Sequence, residues 1–391
     1  MISVTSFATA LLATVLISTD NGGFFERTWP WAGLGLAGAA ALALIRASDL
    51  RVSRAGVALI AATAAISGWT ALSWFWSSEP SATRDEALRT PMYLAAAILF
   101  VVLSSLGGSL GVLLGVAAGA TGIAAYGLVD RGLTPSQGRL LAEPLGYANA
   151  LGAICVLGLA IVIALGWHRR TLLALVPAAV LLGALSLTSS RGSWLALAAG
   201  VVVGAAYLRG WGGRAAALVA VAFSALFVVT AFTIPARLLQ ARADYWHVAW
   251  HVGFHHPLGG LGAGTYDLAW AAYGDLGRWG EVLDAHNLYL ETFAELGVVG
   301  LVLVLALAVP VAACVRRRPG AVATAALAAS VTYLVHAGLD WDWEMPAVSV
   351  AGIACLAAAC PPGTRSVKPV QSTLLAIAGG VIVLYGLDIL L

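Results

Sequence analysis

Charge is what this chain of 391 residues has least of. Charged side chains make up 10% of it and hydrophobic ones 60%, whereas a soluble globule carries about 25% charged residues. With a mean hydropathy of +0.90, such a chain cannot be a soluble globular domain. A net charge of +2 supplies no basic patch, so nucleic-acid binding has no support. Lysine occurs once, at Lys368. Cysteine is scarce: Cys155, Cys314, Cys355 and Cys360 lie in or at the ends of apolar runs without CxxC spacing, which reads as packing rather than disulfide or metal chemistry. Glycine-rich stretches are present, but no Gly-Lys-Ser/Thr follows them, so there is no phosphate-binding P-loop. The sequence also lacks a soluble domain, a low-complexity tract and a clear internal repeat.

What is there is apolar length. Runs able to cross a hydrocarbon core of roughly 30 Å fall near 5–19, 30–46, 56–76, 91–107, 109–128, 146–166, 171–188, 194–208, 214–234, 289–314, 320–337, 345–360 and 370–391. The expected fold is an all-α, polytopic transmembrane helical bundle of 12 or 13 spans, one integral membrane domain over residues 1–391. The first run has no basic segment ahead of it, which argues against a cleaved signal peptide. Arg46, Arg51, Arg54, Arg169, Arg170, Arg209, Arg214, Arg316, Arg317, Arg318, Arg365 and Lys368 fall in alternate loops, with Asp49 the one carboxylate among them. The positive-inside rule makes those loops cytoplasmic. The opposite face receives the other nine arginines and 18 carboxylates, and every loop long enough to fold.

The longest of those loops, residues 235–286 between the ninth and tenth spans, is expected to form an extracytoplasmic lid. Leu238, Leu239, Tyr245, Trp246, Val248 and Ala249 recur at helical spacing, predicting a surface helix with Trp246 and Trp250 at headgroup level. The run from His255 to Tyr266 then breaks the helix with proline and glycine, best read as turn formation that leaves backbone amides exposed. At its end stands His286. The bland reading of a lone histidine there is an interfacial group satisfying hydrogen bonds at a helix start. Three features favour chemistry. Asp284 or Asn287 is a good N-cap, and the positive helix end favours a neutral, proton-accepting ring. The ring faces the side where arginines without a cytoplasmic role gather. Glu291 and Glu295 follow on one helical face at a depth where unpaired carboxylates are costly, and pairing with loop arginines is the expected reason.

His286-Asn287, nine residues, then Gly297-Val298-Val299-Gly300 fits the pattern His-(Asn/Ser/Gln)-x9-Gly-x-x-Gly of the O-antigen ligases and related O-antigen polymerases, which this chain resembles. Ser190-Arg191-Gly192 within Thr188–Trp194 is similar to the family's Ser-Arg-Gly segment. Arg242–Trp246 and His256–Gly262 are similar to its lid opening, and Arg139 with Tyr147-Ala148-Asn149 to its Arg…Asn-Ala element. The resemblance covers roughly residues 75–345. It implies a metal-independent glycosyltransferase of the membrane-embedded C type, without cofactor, in the bacterial inner membrane with its site facing outward. The implied partners are a glycan donor on undecaprenyl diphosphate, an acceptor sugar hydroxyl on lipid A core or another envelope glycan, and membrane lipids. His286 would be the base. Arg191, Arg242, Arg139, Arg84 and Arg89 would bind the diphosphate, and Asn287, Gly297, Gly300, Asn149 and Glu295 would support the site.

A neutral imidazole can take the proton of an attacking hydroxyl, and guanidinium groups can meet a departing diphosphate with paired hydrogen bonds. For each arginine alone, a headgroup anchor or ion pair is the competing reading. The cluster Asp340-Trp341-Asp342-Trp343-Glu344 near His336 offers oxygen ligands for a divalent cation. Pairing with the clamp arginines or fixing the lid fits it better, and the tryptophans read as an interfacial belt. A polymerase would use the same donor and differ in the hydroxyl presented. A polysaccharide or lipid transporter is the alternative from another class, disfavoured because charges sit at span ends and no repeat stands out.

Overall fold

The computed structural model describes residues 2–133, 140–232, 241–364 and 368–390, and among these there is no strand. In chain order the helices are α1 (Ile2–Ser18), α2 (Trp29–Arg46), α3 (Arg54–Ser73), α4 (Pro80–Leu103), α5 (Ser109–Leu133), α6 (Ala148–Arg169), α7 (Leu175–Thr188), α8 (Arg191–Leu208) and α9 (Gly212–Phe232). The lid holds α10 (Ala241–His255), α11 (Tyr266–Tyr273) and the single turn α12 (Leu276–Trp279). There follow α13 (Leu288–Leu305), α14 (Val309–Cys314), α15 (Ala321–Ala337), α16 (Pro346–Ala359) and α17 (Lys368–Leu390). Eight helical stretches among the described residues are long and apolar enough to cross a membrane, and four shorter apolar helices stand with them. One of the eight, Pro80–Asp130, contains α4 and most of α5, joined where Gly107 takes a positive φ of 86°. Every apolar run expected from the sequence is therefore largely helical where it is described, and the protein is a multi-pass helical bundle.

Helices that are apolar all round belong inside a bundle. α6 behaves so, buried along nearly its whole length against α5, α7, α8, α15 and α16. α15 and α16 are buried in the same way, whereas α9 and α17 keep much of their apolar surface outward. Without a hydrophobic drive between helices in lipid, close backbone approach through small residues holds such pairs. Gly111, Gly115 and Gly119 form a four-residue repeat on α5, and a side chain there would overlap α1 at Ser3, Phe7 and Thr14. Gly200 lets α8 lie directly on Ala328 and Thr332 of α15.

The two ends of the bundle sort as the charge alternation predicts. At one end Gln371 Nε2 donates to the Leu44 carbonyl (2.7 Å), and the Tyr207 hydroxyl donates to the Arg317 carbonyl (3.2 Å). At the other, Arg89 meets Glu344 and the Asn287 amide donates to the Gly338 carbonyl at 2.9 Å. The turns before α4, α6, α8, α13 and α16 thus converge on one region.

The lid is strapped to that region through a break in α13. Gly297 sits at φ 66°, ψ −166°, a conformation essentially reserved for glycine, and a Cβ there would overlap the Leu258 carbonyl. The break releases main-chain groups that the strap takes up: Val298 N–H donates to the Pro257 carbonyl at 2.8 Å, Leu261 N–H to Ala294 O at 3.1 Å, and Gly262 N–H to Glu295 O at 2.8 Å. The α3–α4 turn clamps the other side, with Trp76 Nε1 on the Gly259 carbonyl (3.0 Å) and the Thr83 hydroxyl on Ala263 O (2.7 Å). The glycines expected to expose amides as a free turn instead spend them on α13. The surface helix is present as α10, but Trp246 is not at headgroup level: it is fully buried, edge-on to Phe227 at 5.4 Å. Packing on α9 buries more indole surface than an interfacial position would.

The strap predicts a discriminating pair. Gly297→Ala should cost on the order of 1–3 kcal/mol, read as a lower Tm and faster proteolysis between α10 and α13. Val298→Ala, whose side chain is exposed, should leave both nearly unchanged.

Candidate functional site

The α7–α8 corner is built by serines. Ser189 takes a left-handed backbone (φ 55°), ending α7, and the Ser190 side chain caps α8 by accepting the Ser193 amide. Ser193 Oγ lies 2.8 Å from Ser190 Oγ and 2.8 Å from His336 Nε2, and His336 Nδ1 is 3.2 Å from Asp342 Oδ1. This buried chain ties the Ser-Arg-Gly corner to the turn after α15, where Gly192 packs over Leu339. Arg191, opening α8, is exposed and has no carboxylate partner among the described residues.

One residue past Leu339, the buried Asp340 carboxylate gathers four donors. Oδ1 accepts the Tyr147 hydroxyl at 2.8 Å and the Trp341 amide at 3.0 Å, while Oδ2 accepts Asn149 Nδ2 at 2.6 Å and ion-pairs with Arg242. The Tyr147 ring stacks on Trp341 with centroids 4.6 Å apart. Trp341 is therefore part of the site wall rather than a free belt residue. Burial, then the Asp340 charge, pushes the Tyr147 hydroxyl above its ordinary range, so it stays a donor.

His286 is reached from the same turn. Asn287 caps α13 by accepting the Tyr289 and Leu290 amides (3.0 and 3.1 Å), and its own amide donates to Gly338 O. The His286 backbone is left-handed (φ 55°), an uncommon state for a non-glycine residue and one that the surrounding structure must enforce. His286 Nδ1 is 3.1 Å from the Asp284 carbonyl. A carbonyl only accepts, so Nδ1 carries the hydrogen and Nε2 holds the free lone pair. The Tyr245 ring from α10 covers the imidazole at 5.4 Å. Burial depresses the His286 pKa below its ordinary value; Asp340 pulls it up and Arg242 pushes it further down. The ring is neutral at neutral pH.

A cluster of three carboxylates lies alongside. Asp284, Glu291 and Glu344 present oxygens all within 4.8 Å of one another, close enough to share a proton or hold a cation. Burial, then Glu344, raises Asp284 well above the ordinary carboxylate range. Arg89 is buried and engaged by Glu86 (2.5 Å) and Glu344 (3.1 Å), which leaves it ordering these carboxylates rather than meeting a diphosphate. Glu291 and Glu295 do not pair with loop arginines as expected. Glu291 accepts the Ala285 amide at 2.7 Å, and Glu295 accepts the Gly264 and Tyr266 amides at 3.0 and 2.9 Å. Local turns supply donors without the entropy of fixing a long side chain. Arg84 is exposed on the first turns of α4, and Arg139 lies outside the described residues. The structure thus joins His286, Asn287, Asn149 and Arg242 through the 338–340 turn, with Arg191 on a corner tied to that turn. The roles of Tyr147, Tyr245 and the Ser193–His336–Asp342 chain were not read from the sequence, although each of these residues lies in or beside a segment the sequence singles out.

Residues 176–305 match the family model described as O-antigen ligase, a segment running from α7 into α13 and including Arg191, Arg242 and the His286–Gly300 motif. No curated protein matches the chain. Over this segment the chain is similar to O-antigen ligases, which supports a membrane glycosyltransferase of that general type.

Asp340→Asn puts an amide where Asn149 and Arg242 both donate. Breaking this buried pair should cost about 3 kcal/mol or more, measured by thermal unfolding. Asp49→Asn removes an exposed partner of Arg51 and should cost less than about 1 kcal/mol.

Proposed function

We propose that this chain, carrying the O-antigen ligase segment at residues 176–305, transfers a glycan from undecaprenyl diphosphate to a sugar hydroxyl of lipid A core or another envelope acceptor. It works on the outer side of the inner membrane, as one membrane domain with residues 235–286 as its lid. The acceptor oxygen forms a bond to the anomeric carbon, the bond from that carbon to the diphosphate breaks with its electron pair leaving on phosphate oxygen, and the hydroxyl proton passes to His286 Nε2. The single observation that carries this reading is the His286 ring: one nitrogen is fixed on the Asp284 carbonyl, the other is free, and the Arg242–Asp340 pair stands beside it.

Arg191 and Arg242 are assigned to the diphosphate, because a guanidinium presents a planar fork to phosphate oxygens and remains charged throughout. Arg84 and Arg139 are secondary candidates. Asn149 and Asp340 orient Arg242, Asn287 orients His286, and Gly297, Gly300 and Glu295 hold the lid. A lipid-linked donor is supported by an apolar cavity of about 360 Å³ between α9, α13 and α15. It is lined by Phe227, Trp250, Tyr289, Leu305 and Val335, and Tyr289 lies three residues from His286.

The test is transfer from undecaprenyl-diphosphate-linked glycan by the purified protein in nanodiscs, with lipid A core or a second donor glycan as acceptor. The acceptor that is used separates ligase from polymerase. His286→Gln keeps hydrogen bonding but has no basic nitrogen, and should lose about 10² to 10⁴ in rate while still binding donor. Near-native turnover by that variant would reduce His286 to orienting the acceptor. Arg191→Lys should be severely damaging although charge is retained; full activity would make Arg191 an anchor.

The wild-type rate should also follow protonation of His286. With a folded pKa depressed below the ordinary ~6.5, the neutral ring is complete above that value and is lost as pH falls through the lower, folded one. The stability contributed by the buried neutral ring is lost over the same window. A rate profile flat from about pH 5 to 8 would remove the titrating base.

A further inference from the structure

The lid helix carries nitrogen ligands that the transfer chemistry does not use. His247, His251 and His255 recur every four residues along α10, which places successive imidazoles on one stripe. His251 and His255 are in ring contact, with centroids 4.2 Å apart and planes inclined at 38°. His255 Nδ1 is 2.7 Å from the His251 carbonyl oxygen. That oxygen can only accept, so Nδ1 carries the hydrogen and the lone pair is on Nε2, in a side chain that is exposed. A ring N–H held by a backbone carbonyl is the arrangement that metal-ligating histidines adopt, because it fixes the tautomer and raises the basicity of the opposite nitrogen. Tyr273 of α11 supports the His251 ring from the other side at 4.6 Å. His255 also lies in the last turn of α10, where the helix dipole favours a cation.

We propose that His251 and His255 bind one divalent transition-metal ion of the zinc class, with water completing its coordination. Imidazole suits zinc, copper and nickel, whereas magnesium and calcium want oxygen. A zinc–nitrogen bond of roughly 2.0–2.1 Å requires the two stacked rings to open slightly, which the exposed His255 side chain permits. The ion bridges the last turn of α10, the turn from which the Pro257–Gly264 strap runs to α13. Occupancy therefore stiffens the lid at its hinge to the bundle.

The experiment uses the full chain without a polyhistidine tag, in nanodiscs, titrated with zinc chloride by calorimetry and followed by Tm. One saturable zinc event and a rise in Tm with zinc are expected, with no event for magnesium. His251→Ala and His255→Ala should each weaken zinc binding roughly tenfold or more and abolish the Tm rise. His255→Gln serves as a second variant that keeps side-chain bulk. His256→Ala, adjacent in sequence but off the stripe, should change affinity by less than about twofold. No saturable binding up to millimolar zinc would overturn the proposal. So would binding that both alanine variants retain, which would place the ion elsewhere, for instance at Asp284, Glu291 and Glu344.

Discussion

The site depends on one buried negative charge. A carboxylate withdrawn from water is costly unless its lone pairs are filled, and Asp340 fills them with Tyr147, Asn149, Arg242 and the Trp341 amide. Those donors come from the start of α6, the start of the lid helix and the turn after α15. Filling the carboxylate's acceptor positions therefore ties these three segments together. The other functional groups are then attached to the same turn. Asn287 reaches it at Gly338, and the Arg191 corner reaches it through Ser193, His336 and Asp342. The positions of His286, Arg191 and Arg242 are thus linked through one buried carboxylate.

The lid is held by a different economy. Backbone amides freed by glycines in the 257–266 strap need acceptors, and a helix interrupted at Gly297 has carbonyls to offer. Glu295 takes two of the remaining amides. The motif glycines are thus explained by main-chain contact between lid and bundle. The same contact disposes of a phosphate cradle, since these amides are already spent.

The bundle was legible because its signal is local: thirteen apolar runs and the alternation of arginine between loops follow from the bilayer alone. His286 was legible because cap, histidine and glycine spacing sit within fifteen residues. Partners were not. Nothing in the sequence near Glu291 and Glu295 says that the Ala285 and strap amides would reach them before any arginine did. Arg89 reads like Arg191 in sequence, yet it is consumed by Glu86 and Glu344 while Arg191 stays exposed. Trp246 has the pattern of an interfacial residue, and only the position of Phe227 turns it inward. Each of these outcomes depends on which distant segment arrives, and a pattern of spacing does not encode that.

The Arg242–Asp340 pair also bears on the protonation of the His286 ring. A guanidinium beside an imidazole disfavours the protonated ring, and a carboxylate favours it. At His286 both act, and burial is larger than either. Because the two charges oppose each other, the arginine can be kept where a diphosphate would sit without depriving the neighbouring imidazole of its basicity. In the proposed transfer, a diphosphate drawing on Arg242 would move the balance toward negative charge and make the ring a better acceptor. Ser189, just before the Arg191 corner, and His286 itself both take left-handed backbones, a conformation uncommon for non-glycine residues that the surrounding structure must enforce.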